Sequence, residues 1–497
     1  MKSIALLIAA FTLPFTCRAA LKAGFAERDI TPELGMEVPG GYGKAYAKRI
    51  HDPCKARVAV FDDGKMRVAL VGLDTLVVPR SIVFEVRERI QKKCGITAVM
   101  VGASHSHSSG PLGMALPGEY DHASDLVKDL AYNQSTLADP KYIKQVTDAI
   151  VDAVVAADAG RVEATAGFGT GREDTVGFNR RIRMKNGLSY SHPGKGNPDN
   201  VEYAGPTDPE VGVIGVWNAD RKLLGCVVNF SCHATASGPW ISANWIHYME
   251  KAIEGYYGAE AGVVFLQGAC GDVTQVANLD PFANPEADAW SQFVGGRVGA
   301  EAVKVLLGMS QTRVSEVPLD VKSKTLTIPR RVPAPERVAA ALELAKQDQK
   351  IAGSDWVWAK ETVMLDALIA KYPTVEAEVQ AIQIGPVVCV SNPAEYFCQY
   401  GLEIKKGSGF PMTFPVELAN GCVGYVPTEE AFGPHGGGYE TRLTSYSNLE
   451  ITAGTKFRDT GIALAREMKP APLAQRPPAP PFASGGWNFG NVPPQVR

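Results

Sequence analysis

Apolar runs of five to eight residues alternate along this chain with longer amphipathic stretches, and the run lengths separate strands from helices. Ala56–Phe61 and Arg67–Gly72 are apolar runs joined by Asp62-Asp63-Gly64-Lys65, a turn sequence that predicts a hairpin. Ser81 to Lys93 places apolar residues at helical spacing and is closed by Cys94-Gly95. Thr97–Val101 reads as a buried strand, and Lys141 to Ala157 as a helix ending at Gly160. A second hairpin is expected from Val211–Trp217 and Leu223–Phe230, followed by a helix over Trp245–Tyr257 and a strand over Ala261–Leu266. Pro285 to Leu307 reads as a helix, with Asn284 as its cap and Pro285 in its first turn. Ala334–Ala352 and Val357–Lys371 read as a helical pair, Ala381–Ile384 and Val387–Val390 as a tight hairpin, and Thr455 to Lys469 as a last helix. Strands and helices alternate, with hairpins mixed in. The fold class is therefore α/β, a mixed sheet with flanking helices.

Composition adds limits rather than detail. The chain has 497 residues, 45% hydrophobic, with a formal net charge of -3, which gives no electrostatic case for nucleic acid as a partner. Lys2, the short apolar stretch Ile4–Phe15 and small residues at Ala19 and Ala20 match a secretory signal over residues 1–20. The stretch is too short to span a bilayer, and no later segment is long enough, so an exported protein without a transmembrane segment is expected, secreted or periplasmic. Residues 470–497 are rich in Pro, Ala and Gly and read as a disordered tail. Of nine cysteines, Cys17 lies in the signal; the other eight show no metal-type spacing, and Cys54 with Cys94 is a conceivable disulfide.

Candidate chemistry follows from position. Ser104-His105-Ser106-His107-Ser108-Ser109-Gly110-Pro111 carries two of eight histidines directly after an apolar strand. On extended backbone, side chains at i and i+2 share a face, so both imidazoles are expected to aim at one spot. His233 follows Val227–Cys232, Asp272 and Thr274 follow the strand ending near Leu266, and Glu395 follows Val388–Ala394. Strand ends are where sites assemble in α/β sheets. Two histidines and a carboxylate with an open position make a catalytic zinc arrangement.

Taken together, these segments resemble the neutral ceramidase family of zinc-dependent amidases. The motifs occur in family order: Asp29-Ile30-Thr31-Pro32 with Gly41-Tyr42, the 104–111 histidine segment with an extra serine, Asn179-Arg180, Asn229–His233, Gly271-Asp272-Val273-Thr274, Asn392–Tyr396, and Asn420–Glu430 with Tyr439-Glu440. The resemblance spans about residues 22–468 and implies one catalytic domain over 21–469, without the immunoglobulin-like C-terminal domain of well-known ceramidases. It implies one Zn2+ held by His105, His233, Glu395 and Tyr425, with His107, Arg180, Asp272, Thr274 and Tyr439 as catalytic or substrate-handling residues. Thr274 stands where the family has serine, and the role of Tyr425 rests on the resemblance alone.

The expected activity is hydrolysis of the N-acyl amide of ceramide or a related small-molecule or lipid substrate. Two alternatives are a zinc hydrolase of N-acyl or O-acyl sugars and a non-catalytic binding protein that kept the fold. A third reading is a cysteine hydrolase built on Cys232 beside His233 or Cys270 near Asp272.

Overall fold

In the computed structural model of the protein, which describes residues 20–482 and 492–497, the apolar runs become the strands of two large sheets. The expected signal segment, residues 1–20, lies outside the described residues apart from Ala20. The first half contributes β1 (Lys22–Asp29), β2 (Lys55–Asp62), β3 (Arg67–Leu73), α1 (Arg80–Cys94), β4 (Ala98–Ala103), α2 (Asp125–Tyr132), α3 (Pro140–Ala159) and β5 (Val162–Arg172). Then follow β6 (Glu210–Asn218), β7 (Leu223–Phe230), α4 (Trp245–Tyr257), β8 (Gly262–Gln267) and α5 (Ala287–Gly308). The last part holds β9 (Leu319–Pro329), α6 (Pro335–Ala345), α7 (Gln349–Lys371), β10 (Thr374–Ile384), β11 (Val387–Ser391), α8 (Cys398–Gly407), β12 (Met412–Val416) and α9 (Ala453–Arg466).

The eight-stranded sheet runs β8-β7-β6-β5-β1-β2-β3-β4 and the four-stranded sheet β9-β10-β11-β12. In the larger sheet the two outermost pairs, β7/β8 and β3/β4, are parallel, and the inner pairs are antiparallel. Near-continuous apolar strands signal burial on both faces, and the cores show it. In β2, Val58 and Val60 pack with α1 and α3, while Ala59 and Phe61 enter a central core. In β7, Cys226 and Val228 pack with α4 and α5, while Val227 faces the central core. In β11, Val388 and Val390 meet Ile404 of α8 and Phe457 of α9, while Val387 and Cys389 face the central core. One core thus joins both sheets, and each large side chain in it contributes about 1.5–3 kcal/mol by burial.

The large sheet folds back on itself. Gly72 of β3 lies so close to β8 that a Cβ there would sit 2.3 Å from the Phe265 carbonyl oxygen, so glycine is required at this crossing. A buried charge cluster fastens the same halves. Arg57 of β2 donates to Asp74, just after β3, and to Glu250 of α4 at 3.1 and 2.9 Å.

The elements depart from the expectations in a few places. The mixed sheet with flanking helices is there, and a second large sheet of four strands accompanies it. Helix α5 starts at Ala287 with Glu286 at its cap position and no side-chain cap, so Asn284 and Pro285 precede it instead of starting it. The first helix of the late pair ends at Ala345, and the second begins at Gln349 and is broken at Gly353 (φ 62°). Strand β9 carries no apolar run because its middle, Lys322–Leu326, is largely solvent-facing. Cys54 and Cys94 are free thiols, like the other six described cysteines.

Candidate active site

Strands β4, β7, β8, β11 and β12 deliver the chemistry at their C-terminal ends. In sheet order β4 and β7 are six strands apart. A flat sheet would separate their ends by about 29 Å. Because the sheet folds back, the rings of His105 and His233 instead have centroids 4.5 Å apart. This lies inside the reach of two bonds to one ion.

The histidine pair converges for a different reason than strand alternation. Strand β4 ends at Ala103, and His105 has φ 62°, a left-handed conformation uncommon for a residue with a Cβ. His107 is brought back by its backbone N–H donating to the Ala234 carbonyl at 3.1 Å. Its ring packs against Gly40 (φ 113°), where a Cβ would come within 2.4 Å of His107 Nδ1. The glycine-rich loop thus closes on His107 because it has no side chain there.

Two imidazoles have fixed tautomers. His105 Nδ1 lies 2.9 Å from the Leu76 carbonyl, and His233 Nδ1 lies 2.7 Å from the Cys270 carbonyl and 3.1 Å from that of Val273. A carbonyl can only accept, so each Nδ1 carries hydrogen and each Nε2 of the neutral ring presents a lone pair. Both Nε2 atoms face Glu395 Oε2, at 3.2 and 3.3 Å. Neither approach has hydrogen-bond geometry, and this fully buried oxygen has no hydrogen-bond partner. His107 Nε2 is 3.1 Å from His105 Nε2, and His105, His107 and His233 bring ligand atoms within 4.8 Å of one another. Among the described residues no carbonyl accepts from His107 Nδ1 in the way that carbonyls fix the other two rings.

Electrostatics agree with a cation-seeking cluster. Burial opposes ionisation of Glu395, but the imidazoles of His105 and His233 hold its carboxyl well below the usual range. Burial and then the Arg180 charge push His233 down to about 3. Burial, then His105 and His233, hold His107 well below its ordinary value. Burial also opposes the His105 cation, yet Glu395 draws it upward. Three converging nitrogens and an unpartnered carboxylate oxygen suit a divalent cation with N and O ligands.

Tyr425 pairs in register with Glu395, on short parallel strands. Its hydroxyl is 3.4 Å from that of Tyr439. Both rings lie over Arg180, whose guanidinium carbon is 5.4 Å from the Tyr425 centroid and 5.1 Å from that of Tyr439. Arg180 is itself buried. It donates to Glu440 Oε1 at 2.7 Å and to the Gly271 carbonyl at 2.7 Å, with Nη1 3.0 Å from His233 Nε2. It therefore stands behind the tyrosines rather than in the cavity. Asp272 is farther back: its carboxylate accepts from Asn179 Nδ2 at 2.7 Å and from the Cys398 N–H at 2.8 Å. Its carbonyl accepts the Arg180 N–H, so it holds the Arg180 segment, and among the described residues its carboxylate bonds to Asn179 and Cys398 rather than to the histidines. Thr274 accepts the Val276 N–H at 3.1 Å and is likewise buried outside the cavity wall.

The cavity beside the cluster is about 310 Å3 and is lined by His105, His107 and Glu395 together with Tyr42, Met114, Trp358, Tyr425, Tyr439 and Tyr446. Sequence reasoning missed Met114, Trp358 and Tyr446 among these walls. Trp358 comes from α7 and Met114 from a loop, and neither type signals chemistry. It also missed Glu440, the buried partner of Arg180, although Tyr439-Glu440 was visible as a pair. Glu417 was missed as well. Burial pushes its carboxyl up to about 8, and its Oε2 accepts from the N–H groups of Cys270 and Tyr396, both at 2.9 Å, next to the carbonyl and chain that hold His233 and Glu395. The thiol alternatives fail on environment. Cys232 and Cys270 are fully buried, and burial pushes both thiols up, away from the nucleophilic thiolate.

No protein-family model matches the chain. Over 313 residues it is 25% identical to a neutral ceramidase of Pseudomonas aeruginosa PAO1, a match covering 59% of this chain and 42% of that relative. The chain thus matches less than half the length of this curated relative. Among solved structures, a ceramidase complexed with C2 superposes with a TM-score of 0.68 at 19% identity, covering 93% of this chain and 77% of that one. A crystal structure of neutral ceramidase from Pseudomonas aeruginosa gives a TM-score of 0.66 at 21% identity, covering 92% and 76%. The chain is thus similar in sequence to neutral ceramidase and shares the α/β fold of these solved ceramidases.

Proposed function

We propose that the protein is a zinc-dependent hydrolase of N-acyl amides, with ceramide or a related N-acyl lipid as substrate. The observation that carries this reading is Glu395 Oε2, buried, unpartnered and faced by two imidazole nitrogens whose tautomers are fixed from behind. His105, His233 and Glu395 hold the ion, and Tyr425, beside Glu395, completes the set. His107 is left out because its Nδ1 lacks the outer partner that orients a ligand imidazole. When bound, the zinc supplies Lewis acidity, polarising an acyl carbonyl and making water acidic near neutral pH.

The chain's own residues do the rest. His107 lines the cavity as a neutral ring and accepts a proton from the attacking water. Arg180, fixed by Glu440 and Gly271, adds a permanent positive charge behind Tyr425 and Tyr439, favouring negative charge developing on the carbonyl oxygen. Tyr439 faces the cavity and offers a hydroxyl to the substrate. Asp272 acts on the site by positioning Arg180, and Thr274 by keeping the adjoining short strand in place. Trp358 and the tyrosines exclude water and receive the apolar arm of the substrate.

On the same reading residues 1–20 are a signal segment, residues 21–469 form the catalytic domain and the protein works outside the cytoplasm. Among the described residues no helix is long and apolar enough to cross a membrane. The test is metal content measured on the sample assayed against N-acyl substrates. Activity should need one zinc per chain and disappear on chelation. A fully active, chelator-resistant protein would falsify the reading.

A further inference from the structure

An open groove of about 650 Å3 adjoins the catalytic cavity and shares Trp358 with it as a wall. It lies among α6, α7 and the segment after Tyr439. Arg331, Arg337 and Arg442 line it, and Asp355 is the single acidic residue among its lining. Arg331 donates to the carbonyls of Leu449 at 2.9 Å and Ser447 at 3.1 Å, and Arg337 to that of Leu443 at 3.2 Å. The Arg442 guanidinium lies on Trp358, 4.1 Å from the ring centroid. Arginines elsewhere on the surface, such as Arg183, Arg297 and Arg458, are paired with carboxylates. None of these three is ion-paired among the described residues. Instead all three line the one groove, and the charge of Arg337 reaches both of the others. Burial and then Arg337 push Arg331 down to about 10, and burial and then Arg337 also lower Arg442. Three like charges held together this way are relieved by an oxyanion, and the planar guanidinium fork suits carboxylate and phosphate alike. The groove continues the catalytic cavity along the chain as well: Tyr439 lines the cavity, and three residues on Arg442 lines the groove.

We propose that the groove holds an oxyanion group carried on one arm of the substrate, a carboxylate or a phosphate, while the scissile amide lies in the catalytic cavity beyond Trp358. The inference rests on the amidase reading above. To that reading it adds a preference, among acyl amides, for those with an anionic end.

The zinc-loaded full-length protein is assayed with two substrate pairs: N-octanoyl-6-aminohexanoate against its primary amide, and N-octanoylethanolamine phosphate against N-octanoylethanolamine. The charged member of at least one pair should have a kcat/KM about tenfold higher, the value of a charge-assisted contact. The pair with the larger preference identifies the group. The preference should shrink with added salt. R337Q, at an exposed position, should lose the preference and keep kcat/KM for the neutral substrates within about twofold, since Arg337 lies outside the catalytic cavity. R442Q is an independent second variant. Equal turnover of charged and neutral members, or a preference that survives both substitutions, overturns the proposal. If no amide is cleaved, the amidase reading has failed, and calorimetry with inorganic phosphate decides the groove by itself. Binding to wild type that weakens in R337Q supports it; no binding, or equal binding, overturns it.

Discussion

His105 and His233 can both serve one ion because each spends its Nδ1 hydrogen on a backbone carbonyl, of Leu76 and of Cys270. His107 makes no such bond, and this difference assigns different work to neighbouring rings. His233→Ala should abolish bound zinc and activity together, measured by metal analysis and turnover. His107→Gln should keep the zinc and lower kcat by about 10^2 to 10^4, the range for a lost general base. Equal zinc loss in both variants would make His107 a ligand. Sequence position identified these three histidines and Glu395, since each follows an apolar strand. The division proposed here, His105 and His233 on the ion and His107 as base, came from the family resemblance, because position alone does not show which ring has a carbonyl behind it. Nor could it show that Asp272 faces away from the cluster, towards Asn179 and Cys398.

At the scale of elements, what places the site is the fastening of one half of the large sheet to the other. Arg57, Asp74 and Glu250 do this from β2, the end of β3 and α4. Burial opposes the Glu250 charge, but Arg57 and Lys55 bring its carboxyl down to about 2 from 4.5. A carboxyl lowered in the folded state adds stability above its unfolded value, and that stability is lost as pH falls through the window from about 4.5 to about 2. The full contribution is about 3 kcal/mol. Asp74 works in the opposite sense, since burial raises it from 3.8 to about 6 despite Arg57. Its charge costs stability as pH rises through that interval. Denaturant midpoints measured across pH 2–7 should therefore fall steeply below about 4, and Glu250→Gln should flatten that limb. An unchanged acid limb in the variant would remove Glu250 from this role. The hairpins β2/β3 and β6/β7, and helices α1 and α4, were legible because run length and turn residues are local signals. Strand β9 and the start of α5 were not. The first is set by pairing with β10, and the second by packing that overrides the Asn284-Pro285 cap signal.

At the scale of the whole molecule, the cluster ties together both sheets, since the residues proposed to hold the ion follow β4, β7 and β11. An ion bound in the folded state and not in the unfolded chain raises stability by mass action, by about 2.7 kcal/mol when free zinc is a hundred times its Kd. Chelation should lower the melting temperature of the wild-type protein by a few degrees and leave that of His233→Ala unchanged. An equal response in both proteins would place the stabilising metal elsewhere. Thiol alkylation of the native protein should leave activity intact, because Cys232 and Cys270 are buried and their thiolates disfavoured. The amino-acid sequence by itself determined the α/β class, most strand and helix positions, and which polar residues stand at strand ends. Those follow from short-range periodicity and turn chemistry. The tertiary structure decided that ends six strands apart in one sheet meet at a point, that Trp358 and four tyrosines wall the cavity, and that three arginines gather beside it. Such contacts join residues hundreds of positions apart, and the folding back of a sheet leaves no local pattern in the chain.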